Sequence, residues 1–176
     1  MNRAIEIEET LYNKYEFREI HPEEAGQAAA IEKICFPPNE ACSEKMMRER
    51  VAAAPELFLV AVDRVTGKLA GFLNGLSTNE TVFRDEFFKE PGLYDKNGKT
   101  VMLLGLDVLP EHRGQGLARA LMTQYLARET KRGRELVILT CLEEKIGMYE
   151  RMGYQNLGLS KSVWGGEPWY EMSIRL

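Results

Sequence analysis

The sequence predicts one α/β domain, in which a mixed β-sheet is flanked by helices. Strand-like and helix-like segments alternate along the chain, in the order strand, two helices, three strands, helix, strand, helix and two strands. The length of 176 residues, with 44% hydrophobic and 28% charged residues, suits a single domain with a sizeable core. A strand–turn–helix segment past the middle of the chain, Leu106–Met122, carries closely spaced glycines.

Seven segments have the apolar alternation or the short apolar run that is typical of a β-strand. In chain order the predicted strands are Glu16–Ile20, Leu57–Asp63, Lys68–Leu76, Thr100–Val108, Glu135–Cys141, Tyr154–Gly158 and Trp169–Arg175. The short turn Arg64–Gly67 predicts an antiparallel hairpin between the second and third strands. Residues 77–99 form a long connection with a short helical piece near Phe83–Lys89, and a connection of this length is unusual unless it is functional.

Helices are predicted from start signals and amphipathic spacing. The predicted helices are 21–35, Glu44–Ala54, Gly114–Lys131 and Lys145–Met152. His21-Pro22 starts the first, because proline suits a first turn and acidic residues suit its positive end. Ser43 is the expected N-cap of the second. Residues 1–14 are expected to form an appended, partly helical arm, which leaves 15–176 as the domain.

Composition and charge exclude several classes of protein. The net charge of −4 argues against DNA or RNA as a partner. No apolar run is long enough for a transmembrane helix and the acidic N-terminus lacks a signal core, so we expect no membrane association and a cytoplasmic location. The three cysteines have no zinc spacing, so no metal site is expected and reduced thiols are the simplest interpretation. Cys141 ends a buried strand and is expected in the core, whereas Cys42 lies in a loop where it could be exposed.

The most informative segment joins a strand to a helix through a glycine-rich turn. The strand ends at Val108, and Arg113-Gly-Gln-Gly-Leu-Ala118 opens the helix. Glycines at a helix start leave backbone N–H groups without intrahelical partners, at the positive end of the helix dipole. Such a turn suits a phosphate or pyrophosphate. A dinucleotide-binding Rossmann turn is disfavoured, because the full Gly-x-Gly-x-x-Gly pattern is missing and the segment lies past mid-chain.

The pattern Arg113-x-x-Gly-x-Ala118 after the strand Val101–Val108 resembles the acetyl-CoA signature of the GNAT N-acetyltransferase superfamily. The strand Glu135–Cys141 and the short helix in Met148–Tyr154 follow where that family has them, and the resemblance covers about 15–176. It implies a single-domain GNAT fold with a mostly antiparallel sheet, whose central strands splay apart to hold acetyl-CoA as co-substrate.

The resemblance also implies how the co-substrate is held. Backbone groups of Leu106 and Val108 would pair with the pantetheine arm, and backbone amides from Gly114 to Arg119 would hold the pyrophosphate. The implied acetyl-CoA-binding residues are Leu106, Asp107, Val108, Arg113, Gly114, Gln115, Gly116, Leu117, Ala118 and Arg119.

Two further blocks resemble the arylalkylamine (serotonin-type) N-acetyltransferase branch. They are Phe36-Pro-Pro-Asn-Glu-Ala-Cys-Ser43 and Gly165-Gly-Glu-Pro-Trp-Tyr-Glu-Met172. This resemblance implies direct transfer of an acetyl group, in a ternary complex, to a small primary amine that is an arylalkylamine or a polyamine. The expected substrate wall consists of Phe36, Pro37, Pro38 and Leu104. Acetylation of a protein N-terminus or lysine, and a non-catalytic acyl-CoA sensor, stay open as alternatives, as does a homodimer.

Tyr149 is the first candidate for a catalytic residue. The resemblance places its hydroxyl beside the coenzyme sulfur, where a phenol can donate a proton to the leaving thiolate. The vertebrate enzymes of this branch carry two histidines on the central strand, but Met102 and Leu104 hold those positions here. Glu40, in the expected substrate loop, is the carboxylate predicted to bind an ammonium or to receive a proton through water. His112 is expected to be structural.

Overall fold

The protein is built around one seven-stranded mixed sheet. A computed structural model describes residues 3–176, with side-chain environments from residue 8 onward. The strand order is β1-β2-β3-β4-β5-β7-β6, and neighbours are antiparallel except β4 and β5. The strands are β1 Tyr15–Glu19, β2 Phe58–Asp63, β3 Leu69–Thr78, β4 Thr100–Val108, β5 Leu136–Cys141, β6 Gln155–Leu159 and β7 Tyr170–Arg175. The helices are α1 Arg3–Lys14, α2 Ala25–Cys35, α3 Glu44–Ala53, α4 Glu86–Lys89, α5 Leu117–Lys131 and α6 Ile146–Arg151. The predicted single-domain α/β fold is confirmed.

The two central strands, β4 and β5, separate soon after they begin. The parallel pairing of β4 with β5 extends only over Thr100–Met102 and Leu136–Ile138. β4 continues to Val108 with β3 as its neighbour on the other side. A bulge opposite Asn74 and Gly75 interrupts the β3–β4 register, and such irregularities bend a strand. The predicted splay of the central strands is confirmed, and it leaves an open wedge beside the second half of β4.

Helices cover both faces of the sheet. On one face α5 buries a large cluster that includes Leu103, Leu121, Tyr125 and Met172. On the other face α2 and α3 pack over β2 and β3, in a second cluster that includes Met47 and Phe72. The wedge between β4 and β5 is therefore bordered by α5 on one side and α2 on the other.

The segment 77–99 supplies a third apolar cluster. It contains the predicted short helix, now α4 Glu86–Lys89. Its three phenylalanines, Phe83, Phe87 and Phe88, pack with Met102 and Leu104 of β4, on the face of the sheet that α2 also covers. The long connection thus covers the part of the sheet that α2 and α3 do not reach.

The structure confirms the predicted start of α3 and corrects the other helix starts. Residues Pro22–Glu24 form a 3₁₀ turn before α2 begins at Ala25, and α6 begins at Ile146, one residue after the predicted start. Ser43 caps α3, because its hydroxyl accepts a hydrogen bond from the Met46 backbone N–H at 3.1 Å. The predicted start of the long helix at Gly114 is wrong, since α5 begins at Leu117. Gly114 and Gly116 have φ angles of +77° and +87°, which belong to the left-handed region and not to a right-handed helix.

The N-terminal helix packs on the sheet domain. Leu11 of α1 is buried in the cluster under α5. The Gln124 side chain donates to the Tyr12 hydroxyl at 2.6 Å, and Arg64 donates to the Tyr12 carbonyl at 3.1 Å. The prediction of an arm over 1–14 includes Met1 and Asn2, which lie outside the described residues, and the division at residue 15 stays a prediction.

Two expectations about cysteines have different outcomes. Cys141 is buried in the core cluster, as predicted. Cys42 is also buried, so the suggestion that it is exposed is wrong. The loop that carries Cys42 folds against α2, and its thiol donates to a Glu32 carboxylate oxygen at 3.6 Å. Among the helices of residues 3–176, none has the length and apolarity that a membrane span requires.

We predict that Gly75→Ala destabilises the fold. A Cβ there would lie 2.8 Å from the Tyr125 hydroxyl, which donates a buried hydrogen bond to the Leu57 carbonyl, and 2.9 Å from the Met102 carbonyl. Overpacking of this kind costs about 1–3 kcal/mol. Thermal denaturation should therefore show a Tm lowered by several degrees.

Gly92→Ala is the matched control for this prediction. A Cβ at Gly92 would meet no atom within 4 Å, and its backbone is not in the left-handed region. Its free energy of unfolding should stay within about 0.5 kcal/mol of the wild type. Equal Tm values for the two variants would contradict the close packing inferred at Gly75.

Candidate active site

The wedge between β4 and β5 opens into a cleft of about 600 Å³. Its walls come from the second half of β4, the end of β5, the start of α5, α6, and the loops around residues 36–40 and 164–169. Apolar and aromatic side chains predominate, and the charged ones are Glu32, Glu40, Arg113, Glu144 and Lys145. A concave, mostly apolar site with a few charged groups is typical of small-molecule binding.

The turn at the start of α5 presents backbone donors beside the cleft. The Ala120 N–H donates to the Gly116 carbonyl at 3.0 Å, which makes Gly116 the N-cap. The N–H groups of Leu117–Arg119 precede this bond and have no partner within the helix. They stand at the positive end of a 15-residue helix. This arrangement fits a diphosphate group, and both glycines keep side chains away from it.

The structure brings together some of the predicted co-substrate residues and places others elsewhere. Leu106, Val108, Arg113 and Ala118 line the cleft, and Gly114, Gly116 and Arg119 are exposed. Leu117 is 1% exposed and packs into the core under α5. Gln115 holds the turn in place, because its amide donates to the Tyr15 hydroxyl and to the His112 carbonyl, both at 2.8 Å.

Arg113 and His112 both stabilise the glycine turn before α5 through contacts of their side chains. The Arg113 Nε donates to the Val108 carbonyl at 2.8 Å, so that carbonyl already has a partner within the protein. The Nδ1 of His112 lies 2.6 Å from the Tyr15 hydroxyl, and the two rings meet edge to face. These contacts give His112 the structural role that was expected of it.

Tyr149 reaches the cleft from α6. Its ring packs edge-on against Tyr154, with centroids 5.7 Å apart. Burial, and then the neighbouring Cys141 and Asp107, raise the Tyr149 pKa above that of an ordinary phenol. The hydroxyl is therefore protonated at neutral pH.

Glu40 lies at the opposite wall, within the loop that precedes α3. Its side chain is 8% exposed, and its Oε1 has no hydrogen-bond partner among the described residues. Burial, and then the charges of Glu167 and Glu144, raise the Glu40 pKa. Three acidic residues thus create a negative potential at this end of the cleft.

The two loops predicted from sequence to line a substrate site are in contact. Trp164 donates from its indole nitrogen to the Glu40 carbonyl at 2.8 Å. Asn39 donates from its side-chain amide to the Gly165 carbonyl at 2.9 Å. Phe36, Pro37 and Leu104 line the cleft as expected, together with Trp164 and Trp169, whereas Pro38 is exposed and does not line it.

Asp107 is not on the cleft wall where the sequence led us to expect it. Its side chain is 0% exposed and faces α2, on the other face of β4 from Leu106 and Val108. Three buried neighbours in this region, Glu32, Arg50 and Asn74, were not predicted from the sequence. A signal existed for Glu32: it lies at helical spacing from the buried Ala28 and Ala29, so a carboxylate occupies the apolar face of α2.

The buried acids perturb each other. Burial raises the Glu32 pKa to about 7, although Arg50 and the Cys42 hydrogen bond lower it in part. Burial and the charge of Glu32 raise the Asp107 pKa well above that of an ordinary carboxyl group. One low-dielectric region therefore holds two carboxyl groups that do not both ionise readily.

A family model described as "Acetyltransferase (GNAT) family" matches residues 16–154, which is most of the chain. The protein therefore belongs to the GNAT acetyltransferase family. A search of curated protein sequences found no significant match.

Several solved structures share the fold of this chain, although their sequences are only 17–19% identical to it. The "GphF GNAT-like decarboxylase in complex with isobutyryl-CoA" is 19% identical with a TM-score of 0.78, covering 91% of this chain and 98% of that chain. The loading GNATL domain of CurA from Lyngbya majuscula is 17% identical with a TM-score of 0.79, covering 92% and 97%. The ribosomal-protein-S18-alanine N-acetyltransferase from Escherichia coli is 18% identical with a TM-score of 0.67, covering 92% and 93%. At these identities the likeness concerns the fold, and the reaction must be argued from the site.

We predict that Glu32→Gln gains stability relative to the wild type as pH rises. The Glu32 pKa is about 7 in the folded protein against an ordinary 4.5, so the folded state binds this proton more tightly. The stability that this proton contributes is complete below pH 4.5 and is lost as pH rises through 7. The variant should therefore gain roughly 1–3 kcal/mol over the wild type between pH 4 and pH 8.

Denaturant unfolding at several pH values measures this difference. Glu23→Gln is the control, because that side chain is 76% exposed and its removal should leave a nearly constant offset from the wild type. A Glu32→Gln offset that is equally constant from pH 4 to pH 8 would contradict the raised pKa.

Proposed function

We propose that the protein is an acetyl-CoA-dependent N-acetyltransferase that transfers an acetyl group directly to a small primary amine, either an arylalkylamine or a polyamine. The observation that carries this proposal is the composition of the cleft. The glycine turn of α5 borders it on one side, and aromatic side chains and partly buried carboxylates border it on the other. An acyl-CoA and a cationic amine can therefore reach the same space from opposite ends.

The chain offers suitable contacts for the co-substrate, which supplies the acyl group as an activated thioester. The N–H groups at the start of α5 would bind the diphosphate, and Arg119 would add positive charge there. The second half of β4, unpaired on the side of β5, would align the peptide-like pantetheine arm beside Leu106. Ala118 and Met122 would pack along that arm.

Proton transfer sets the chemical problem that the site must solve. A primary amine with a pKa near 10.4 is about 0.1% neutral at pH 7, and this costs roughly 4 kcal/mol. The carboxylates in the cleft would bind the ammonium and assist its deprotonation. Tyr149 would donate its phenolic proton to the sulfur as the thioester breaks.

The walls of the cleft favour a small amine over a peptide. The loops that carry Glu40 and Trp164 are hydrogen-bonded to each other, and this contact supports a bounded substrate side over an open groove. Phe36, Trp164 and Trp169 offer faces on which an aromatic ring or a methylene chain can pack. The proposal of an arylalkylamine or polyamine acceptor rests on these same two loops.

We predict that Tyr149→Phe lowers kcat by roughly 100-fold while acetyl-CoA affinity stays within about twofold, because the variant loses a proton donor but keeps the packed ring. The measurement is thiol release from acetyl-CoA with tryptamine, phenylethylamine, spermidine, putrescine and a lysine peptide. Turnover with one class identifies the acceptor.

The other outcomes of this assay separate the alternatives. Turnover with the lysine peptide alone would favour a protein acetyltransferase. Tight acetyl-CoA binding with no turnover of any amine would favour a sensing module. A Tyr149→Phe variant with full kcat would remove the phenol from the reaction.

We predict that Glu40→Gln raises the KM for the amine by roughly tenfold and leaves the KM for acetyl-CoA unchanged. The reason is that Glu40 faces the amine side of the cleft and loses one negative charge from a group of three. Initial rates measured across the pH range check this, and an unchanged kcat/KM at every pH would exclude a contribution from Glu40.

A further inference from the structure

The glycine turn before α5 leaves a run of backbone donors free. Gly114 and Gly116 have φ angles of +77° and +87°, and only Gln115 between them carries a side chain. Among the described residues, no backbone N–H from Gly114 to Arg119 donates to a backbone carbonyl. Successive N–H groups of this kind form a concave site for an anion. Because glycine loses much conformational freedom when it is ordered, the affinity of this site depends on how firmly the turn is held.

The Gln115 side chain holds the turn through three hydrogen bonds. Its Nε2 donates to the Tyr15 hydroxyl and to the His112 carbonyl, both at 2.8 Å, and its Oε1 accepts from the Lys14 Nζ at 3.2 Å. Lys14 is the last residue of α1 and Tyr15 is the first residue of β1. Two of the three bonds therefore come from the junction of α1 and β1, which is distant from the turn in sequence.

This α1–β1 junction is itself anchored in the fold. Leu11 is 5% exposed, and its Cδ1 lies 3.9 Å from the position that a Cβ on Gly116 would take. The Lys14 carbonyl accepts a hydrogen bond from the Arg64 backbone N–H at 3.0 Å, and Tyr15 is buried. Lys14 therefore extends towards the turn from a fixed part of the backbone.

The Lys14 ammonium is a positive charge beside the turn without an acidic partner. Its Nζ contacts the neutral Gln115 amide and lies 5.4 Å from the centroid of the Tyr15 ring. No carboxylate in the described part of the chain forms an ion pair with it. Charges at a protein surface act on each other over about 8–10 Å at physiological salt. The charge of Lys14 is therefore available to a phosphate bound at the turn.

We propose that the α1–β1 junction is part of the acyl-CoA site, where Lys14 attracts the phosphates of the co-substrate and, through Gln115, fixes the turn that binds them. The region that matches the family model begins at residue 16, so Lys14 and Tyr15 lie just before it. This inference rests on the acyl-CoA of the proposed function and is independent of which amine is acetylated. Lys14 and Tyr15 are positioning residues, because both act on the turn through Gln115.

A fragment of the co-substrate separates this role from a general effect on folding. S-Acetylpantetheine has the thioester and the peptide-like arm of acetyl-CoA but carries no phosphate. A residue that acts on the phosphates changes the use of acetyl-CoA and leaves that of the fragment unchanged. A residue that supports only the fold changes both.

The test measures the Kd of CoA by titration calorimetry for wild type, Lys14→Met, Lys14→Arg and the control Lys131→Met. Lys131 is exposed at the last position of α5, which places it about 20 Å along the helix from the turn. In dilute salt, Lys14→Met should weaken CoA binding by about fivefold, the upper end of what an exposed ion pair contributes. Lys14→Arg and Lys131→Met should stay within about twofold of the wild type.

The salt dependence and a second substitution test how Lys14 acts. The deficit of Lys14→Met should shrink at about 1 M salt, where charges are screened within about 3 Å. Gln115→Ala should weaken CoA binding by roughly tenfold at either salt concentration, because it removes the bonds that hold the turn. Adding Lys14→Met to Gln115→Ala should then have a smaller effect than Lys14→Met alone, since part of that effect passes through Gln115.

Steady-state rates with an accepted amine give an independent measurement. In Lys14→Met the KM for acetyl-CoA should rise by about fivefold, with kcat within about twofold of the wild type. The kcat/KM for S-acetylpantetheine should not change. CoA binding by Lys14→Met that equals the wild type would overturn the inference. So would a loss that is the same at both salt concentrations, that Lys14→Arg does not restore, or that extends to S-acetylpantetheine.

These outcomes are separate from failure of the proposed function. A wild type that binds CoA but acetylates no amine would contradict the proposed function, and the calorimetric affinities of the variants would still decide about Lys14. A wild type that does not bind CoA would contradict both.

Discussion

The parting of β4 from β5 after Met102 is the constraint on which the rest of the molecule depends. A strand in the middle of a sheet normally satisfies its backbone groups on both sides. β4 does so at its start, but along its second half it has a strand neighbour on one side only. That unpaired side, together with the unpartnered N–H groups at the start of α5, creates a set of backbone donors and acceptors that a peptide-like molecule with a diphosphate can fill.

The covering elements turn this wedge into a bounded cleft. α5 and α2 approach it from opposite faces of the sheet, and α4 adds the ring of Phe88. Two loops close its end through hydrogen bonds between backbone and side chains, so their spacing is fixed by contact. The acidic residues enclosed there carry raised pKa values because the same walls that exclude water also remove their hydration. The enclosure of the cleft therefore accounts both for its shape and for the raised pKa values of its carboxyl groups.

Much of the fold was predictable because its signals are local. The strand Thr100–Val108 was predicted with the bounds that the structure has, since a run of apolar residues ends there at a proline turn. Ser43 was recognisable as a cap from its position alone. The glycine turn was recognisable as well, but its helix was predicted to start too early, because the sequence does not say which glycines adopt left-handed angles. Tyr149 and Glu40 were selected through a resemblance, and both line the cleft.

The sequence by itself determined the family, the order of the elements and the location of the glycine turn before α5, because each depends on residues that are close together in the chain. Only the tertiary structure decided that Asp107 faces α2, that Cys42 is buried, and that the segment 77–99 covers the sheet. It also decided that Lys14 and Tyr15 contact Gln115 of the glycine turn. The physical reason is that periodicity reveals which face of a helix or strand is buried, whereas the partner on that face depends on the packing of elements that are distant in sequence.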